Sequence, residues 1–172
     1  MFVINKSVVY YILALFLVFN LFGCRIVKEI DVANKDDLKK YVDSNKWSVL
    51  YPSSWDKIEE NFIQETSSGQ TINFNSEIIS KSDLLYWINC EIERKLRTEE
   101  AQNSVFEHVS TYFKNDLEVY EYTIQSDMDG VTYLLKTTIF YDGHMKYEFN
   151  GALPLIDGEI YEAIINSFTI EK

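Results

Sequence analysis

The segment Trp47-Ser-Val-Leu-Tyr-Pro-Ser-Ser-Trp55 decides the fold of this chain. Trp47, Val49 and Tyr51 recur at every second position, which is the period of a β-strand with one buried face. Pro52 ends this pattern because proline cannot donate a hydrogen bond to a neighbouring strand, and a turn is expected after it. The segment therefore predicts a strand over residues 47–51 followed by a turn.

Strand patterns continue on the C-terminal side of this segment. Residues 58–66 alternate less regularly, Ser67-Ser-Gly69 predicts a turn, and residues 71–78 alternate again. Strands that follow one another through short turns are typical of an antiparallel meander.

A second group of strands is predicted in the C-terminal half, over residues 118–125, 131–141 and 144–150. The connections contain Asp129-Gly130 and Asp142-Gly143. Asp-Gly between alternating segments is a strong hairpin signal, because glycine accepts the positive φ that such turns require. We therefore expect two consecutive hairpins here.

Helical spacing is found in two short segments. Residues 36–46 carry Leu38, Tyr41 and Val42 among charged residues and predict a short helix, and apolar residues between Ile156 and Phe168 predict a final amphipathic helix. Alternating groups of strands and helices indicate an α+β fold with a mainly antiparallel sheet packed by helices.

The longest predicted helix begins after Ser82, which is expected to act as its N-cap, and extends to Thr98. Its apolar residues lie within about 120° of helical arc, which predicts a face packed on the sheet. These residues are Leu84, Leu85, Ile88, Ile92 and Leu96.

The segment 47–55 also resembles the opening of PsbP-like domains, in which a strand of this type runs into Tyr-Pro and then Trp, here Tyr51-Pro52 and Trp55. The order of elements and the ending Ile164-Ile-Asn-Ser-Phe168 are similar to that family, and DcrB-like bacterial lipoproteins are similar too. The resemblance covers nearly all of residues 36–172. It implies a three-layer α-β-α fold used for protein binding, as a chaperone, assembly factor or adaptor, and it implies no catalytic residues.

The N-terminus has the pattern of an export signal. Lys6 precedes an apolar stretch that ends in Leu21-Phe-Gly-Cys24. The stretch is shorter than the roughly 20 apolar residues of a membrane-spanning helix. This ending resembles the bacterial lipobox, which implies cleavage before Cys24 and acylation of its thiol. An uncleaved anchor helix is the alternative, because Arg25 and Lys28 follow the apolar stretch as a stop signal does.

The sequence therefore predicts a signal peptide over 1–23, a polar tether over 24–35 and a single PsbP-like domain over 36–172. Either interpretation of the N-terminus holds that domain at a bacterial membrane, outside the cytoplasm. Whether this is an inner or an outer membrane stays open.

Charge and cysteine content exclude several classes of function. Lys6 is the only charged residue before Cys24, so the net charge of −11 becomes −12 for residues 24–172. A field of this sign repels phosphate backbones, so nucleic-acid binding is not expected. With Cys24 acylated, Cys90 has no partner within the chain, and we expect no disulfide.

No catalytic, metal-binding or cofactor-binding constellation is predicted. His108 and His144 are far apart in the sequence, whereas a zinc site needs several converging ligands. Asp127-Met-Asp-Gly130 begins like a calcium loop but lacks the later ligands, and turn chemistry explains it. The many carboxylates have the spacing of solvated surface groups.

One face of the predicted central helix suggests a binding surface. Opposite the apolar face lie an aromatic pair, Tyr86 and Trp87, the thiol of Cys90, and two arginines, Arg94 and Arg97. Tryptophan, tyrosine and arginine are the residues that dominate binding hot spots. The alternative is that residues 99–115 fold over this face and bury it.

These observations favour a non-enzymatic, membrane-tethered protein-binding domain of the adaptor or chaperone type. Two alternatives stay open. An immunity lipoprotein that neutralises a toxin would use the acidic charge to bind a basic partner, and a small hydrolase would need a site that the sequence does not reveal.

Replacement of Cys24 by Ser tests the predicted anchor. Because serine has no thiol to acylate, the Cys24→Ser chain is expected to accumulate as an unprocessed precursor and to lose labelling by a fatty-acid probe. Equal labelling of the variant and the parent chain would contradict lipidation at Cys24.

Overall fold

The computed structural model describes residues 38–65, 67–97, 104–106, 108–128, 131–153 and 156–171. All of them fall within one unit of the chain, residues 33–172. The predicted signal peptide, Cys24 and the tether lie outside the described residues, so these remain predictions.

The described part contains two antiparallel sheets. Their strands are β1 (Leu38–Val42), β2 (Trp47–Pro52), β3 (Trp55–Glu59), β4 (Phe62–Glu65), β5 (Thr71–Ile78), β6 (Val105–Phe106), β7 (Ser110–Lys114), β8 (Leu117–Met128), β9 (Val131–Tyr141), β10 (Met145–Leu153) and β11 (Thr169–Ile170). The small sheet has the order β1–β2–β11, and the large sheet has the order β3–β4–β5–β10–β9–β8–β6, with β7 also paired to β8.

Two helices, α1 (Lys81–Leu96) and α2 (Gly158–Asn166), pack on the large sheet from opposite sides. Consecutive side chains of β8 face opposite sides of the sheet. Val119 belongs to the core beneath α2 and the small sheet, and Tyr120 belongs to the core beneath α1. The domain therefore has three layers, and the predicted α+β fold with an α-β-α arrangement is confirmed.

The predicted strands agree closely with those observed. The segment 47–51 forms β2, residues 71–78 form β5, and the C-terminal hairpins form β8, β9 and β10. Gly143 has a φ of 96° in the turn between β9 and β10, as the Asp-Gly pair predicts.

The helix predicted over residues 36–46 is wrong, because residues 38–42 form strand β1. This strand pairs antiparallel with β2, with Tyr41 opposite Val49, and it buries Tyr41 while Val42 stays exposed. A helix of this length is marginally stable by itself, whereas a strand gains its hydrogen bonds from the neighbouring edge of β2.

The ends of the other helices also differ from the prediction. The N-cap of α1 is Ser80, whose hydroxyl accepts a hydrogen bond from the backbone N–H of Asp83, and Ser82 lies inside the first turn. Leu84, Ile88 and Ile92 are buried as predicted, but Leu85 is exposed. Phe168, which was predicted to lie on the final helix, follows the end of α2 instead, and its side chain is buried in the core.

Gly151 in β10 allows the close approach of α2. A Cβ atom at this position would lie 2.7 Å from Cδ2 and 2.8 Å from Cε2 of the buried Tyr161. The Tyr161 hydroxyl donates to Thr138 Oγ1 at 3.1 Å, which fixes the ring against the sheet. The glycine is therefore required by packing.

Gly151→Ala is expected to lower the free energy of unfolding by about 1–3 kcal/mol, the usual cost of overpacking a core. Gly158→Ala is the matched control, because the nearest atom to its added Cβ is 4.0 Å away. That variant should be neutral or slightly stabilising, since alanine favours a helix. Equal urea midpoints for the two variants would contradict the steric role of Gly151.

Candidate functional site

The candidate site has two parts. The first is the outward side of α1, which carries Tyr86, Cys90, Arg94 and Arg97. The second is a layer of polar side chains between α1 and the sheet, which includes Lys95, Lys146 and Glu148. The helix is anchored to the sheet by Leu84, Ile88 and Ile92, which pack on aromatic and aliphatic residues of β8 and β9. On the opposite side Tyr86 is 73% exposed and Cys90 is exposed. The inward face therefore suffices to hold the helix, and the outward face is free for contacts.

Both arginines of the predicted surface are exposed and ion-paired within α1. Arg94 binds Glu91 through two hydrogen bonds, Nη2 to Oε1 at 2.6 Å and Nε to Oε2 at 2.9 Å. Arg97 Nη2 lies 2.9 Å from Glu93 Oε2. The hydrogen bonds from Arg94 lower the pKa of Glu91, so this carboxylate stays ionised. These pairs orient the guanidinium groups along the helix surface.

The structure places Trp87 differently from its neighbours on this face. Its side chain is only partly exposed and packs against the core beneath α1. The Nζ atom of Lys146 lies 3.3 Å from the centroid of the Trp87 ring. The expectation that Trp87 belongs to the open surface therefore needs correction: it forms the flank of α1 that covers part of the sheet.

Lys146 is a buried cation that the sequence did not reveal. It is 1% exposed and has the carboxylates of Glu77 and Glu148 at 3.4 Å each. Lys146 and Glu148 alternate with Tyr147 and Phe149 along β10, a pattern that normally indicates one solvent-facing side. A buried cation needs such partners to offset its lost hydration.

A polar groove of about 330 Å³ lies beside the C-terminal half of α1. Lys95 enters it from the helix and donates to Thr137 Oγ1 at 3.3 Å and to Asn150 Oδ1 at 3.4 Å. Burial lowers the pKa of Lys95 despite the carboxylates of Glu91 and Glu148 nearby. The groove is lined mainly by polar side chains, and it extends from Arg94 on the helix to Thr137 and Asn150 on the sheet.

The buried hydroxyl of Tyr122 also lies in this layer, beside Thr137. Burial raises the pKa of Tyr122 to about 12, so the hydroxyl stays protonated at physiological pH. It is therefore not a base at that pH.

Ser110 and His108 lie side by side, and serine with histidine is the pair that many hydrolases use. The Oγ atom of Ser110 lies 3.4 Å from Nε2 of His108, and both residues are exposed. Among the described residues no carboxylate hydrogen-bonds His108, so the imidazole lacks the orienting partner of a triad. His144 lies in the turn between β9 and β10 and is exposed.

Within the described ranges, no three His, Cys, Asp or Glu side chains cluster as metal ligands do. Neither of the two described helices is long and apolar enough to cross a membrane.

Comparison with known proteins identifies the architecture. No protein-family model matches the sequence, and no curated protein matches it significantly. The solution structure of cyanobacterial PsbP (CyanoP) from Synechocystis sp. PCC 6803 matches with a TM-score of 0.53 and 10% identity, over 84% of this chain and 99% of that one. The domain has a PsbP-like fold.

A crystal structure from Bacteroides thetaiotaomicron VPI-5482 matches the PsbP-like domain with a TM-score of 0.56 and 15% identity. That match covers 79% of this chain and 49% of the other. The predicted resemblance to PsbP-like domains is confirmed at the level of fold, and the likeness to DcrB-like lipoproteins stays a prediction. At these identities, similarity in structure transfers no functional residue to this chain.

Trp87→Ala tests the corrected position of this side chain. It is expected to lower the free energy of unfolding by about 2 kcal/mol or more, because it removes packing above a buried ion pair. Tyr86→Ala, one residue earlier on the exposed side, should change stability by less than about 0.5 kcal/mol. If urea unfolding gave both variants the same midpoint, the covering role of Trp87 would be refuted.

Proposed function

We propose that this chain is a lipoprotein anchored through Cys24 outside the cytoplasm, and that its PsbP-like domain binds a protein partner without catalysing a reaction. The observation that supports this best is the outward side of α1. Tyr86, Arg94 and Arg97 are exposed there, although the helix is anchored completely by its other side.

The chemistry of this side suits protein recognition. A tyrosine ring offers a large contact area with little conformational entropy to lose, and a guanidinium can bind a carboxylate in a bidentate manner. The ion pairs of Arg94 and Arg97 within α1 hold both groups before a partner arrives, which reduces the entropic cost of binding. Trp87, at the edge of this surface, packs on the core and on Lys146 and so helps to hold α1 in place.

The non-enzymatic part of the proposal rests on the geometry around Ser110 and His108. A nucleophilic serine needs a general base that is itself held by a third group. The exposed and long Ser110–His108 contact lacks that group within the described residues. The PsbP-like resemblance, which implies protein binding as a chaperone, assembly factor or adaptor, agrees with this assignment.

The proposed anchor is compatible with a binding role at a membrane. The tether over residues 24–35 spans at most about 40 Å when fully extended, from the usual rise per residue. A domain on such a tether stays near the membrane surface while it can rotate toward a partner. The exposed face of α1 carries both signs of charge, Asp83 and Glu93 beside Arg94 and Arg97, so a partner surface of mixed charge would complement it.

Site-specific cross-linking tests the proposed binding surface. A photoreactive phenylalanine analogue at position 86 of the full chain, expressed in bacterial cells, is expected to cross-link to a protein partner. The same analogue at Ile58, which is 52% exposed on β3, is the matched control and should give little product. Replacing Arg94 and Arg97 by Ala should lower the yield from position 86 at least fivefold, because hot-spot losses are of that order or larger. Equal products from positions 86 and 58 would contradict the proposal.

A further inference from the structure

We propose that the partner of this surface is a second copy of the same chain, bound through an antiparallel α1–α1 contact with a twofold axis at Cys90. This inference rests on the proposed function, since it assumes that the outward side of α1 binds protein. It adds the identity of the partner and the geometry of the contact.

The sequence of α1 is self-complementary about Cys90. When two helices pair antiparallel about an axis at residue 90, each position faces the position equally far on the other side of that axis. Arg97 then faces Asp83 of the second copy, and Arg94 faces Tyr86. At 100° per residue all four positions lie within about 40° of Cys90 around the helix, so they belong to one face.

The facing groups attract one another. Arg97 and Asp83 carry opposite charges, and the guanidinium of Arg94 can pack on the ring of Tyr86 as a cation–π contact. Both contacts occur twice in a twofold interface, which is the usual symmetry of a homodimer. A parallel arrangement would instead bring Arg97 near Arg97 and Asp83 near Asp83, so the charges select the antiparallel one.

The groups are available for these contacts. The side chains of Arg94 and Arg97 are 65% and 78% exposed. Each guanidinium has five N–H donors and can bind a second acceptor while it keeps its intrahelical glutamate. Asp83 accepts the Ser80 hydroxyl at 2.6 Å with Oδ2, and no described residue hydrogen-bonds its other oxygen.

Cys90 provides a direct measure of this geometry. Helices packed about 8–10 Å apart, with Cα atoms about 2.3 Å from each axis, place facing Cα atoms about 3.4–5.4 Å apart. The upper part of this range overlaps the roughly 4.4–6.8 Å that a disulfide bridges. Nothing in the noncovalent contact requires that bond. An added oxidant should nevertheless form it quickly if two Cys90 thiols face each other.

The first experiment uses the full chain in bacterial membranes, treated with dipyridyl disulfide. Two Cys90 thiols lose two protons and two electrons to form one S–S bond, and the reagent accepts both as it splits into two molecules of pyridinethiol. We expect a reducible product of twice the chain mass. The control N89C/C90S moves the thiol about 100° around α1, and it should give at least tenfold less product.

The second experiment tests the charge pairing. D83R and R97D each place like charges opposite one another, and each should lower the Cys90 cross-linking yield at least fivefold. The double variant D83R/R97D restores opposite charges at both ends of the contact and should recover most of the yield. Thermal unfolding of each variant checks that the domain stays folded, since Asp83 also lies in the first turn of α1.

The outcomes separate this inference from the proposed function. A double variant no better than the single ones, or equal cross-linking of the parent and N89C/C90S, would overturn the dimer. If position 86 then cross-links to a different protein, the proposed binding function stands while this inference fails. If position 86 gives no product above the Ile58 control, both fail.

Discussion

The side chain of Trp47 packs against aromatic rings from both sheets and from the chain that follows α2. Its ring centroid lies between 5.3 and 6.3 Å from five others, those of Tyr41, Phe74, Tyr147, Phe149 and Phe168. These rings belong to β1, to β5 and β10 of the large sheet, and to the chain after α2. Trp47 is 1% exposed and joins the small sheet to the large one. Aromatic contacts of this kind stabilise the fold beyond the contribution of the apolar area that each ring buries.

The opposite side of the large sheet is covered by α1. Three buried aliphatic residues and the flank of Trp87 hold the helix there, above a layer that includes the buried Lys146 and Glu148. A helix held by a narrow apolar face keeps its outward side exposed. The aromatic core stabilises the fold on the other side of the large sheet, so the outward side of α1 can stay exposed without loss of core packing.

Much of the fold follows from local patterns. The alternation in β2, β5, β8 and β9 and the Asp142-Gly143 turn predict the strands, because strand period and positive φ are properties of a few adjacent residues. The buried side of α1 follows from its helical spacing in the same way. The helix predicted over residues 36–46 fails because the competing strand gains its hydrogen bonds from β2, which is a non-local partner. The binding surface stays a prediction, but the exposure of its residues is known: Tyr86, Arg94 and Arg97 are exposed, whereas Trp87 is half-buried.

The sequence by itself determined the period of each element and the side of α1 that faces inward. Only the tertiary structure decided which residues at the boundary of that side are covered. Tyr86 and Trp87 differ by about 100° around the helix, and the sheet lies beneath the flank of only one of them. Lys146 is buried for the same reason: strand alternation sends it to one side of β10, but the position of α1 and Trp87 determines whether that side meets water.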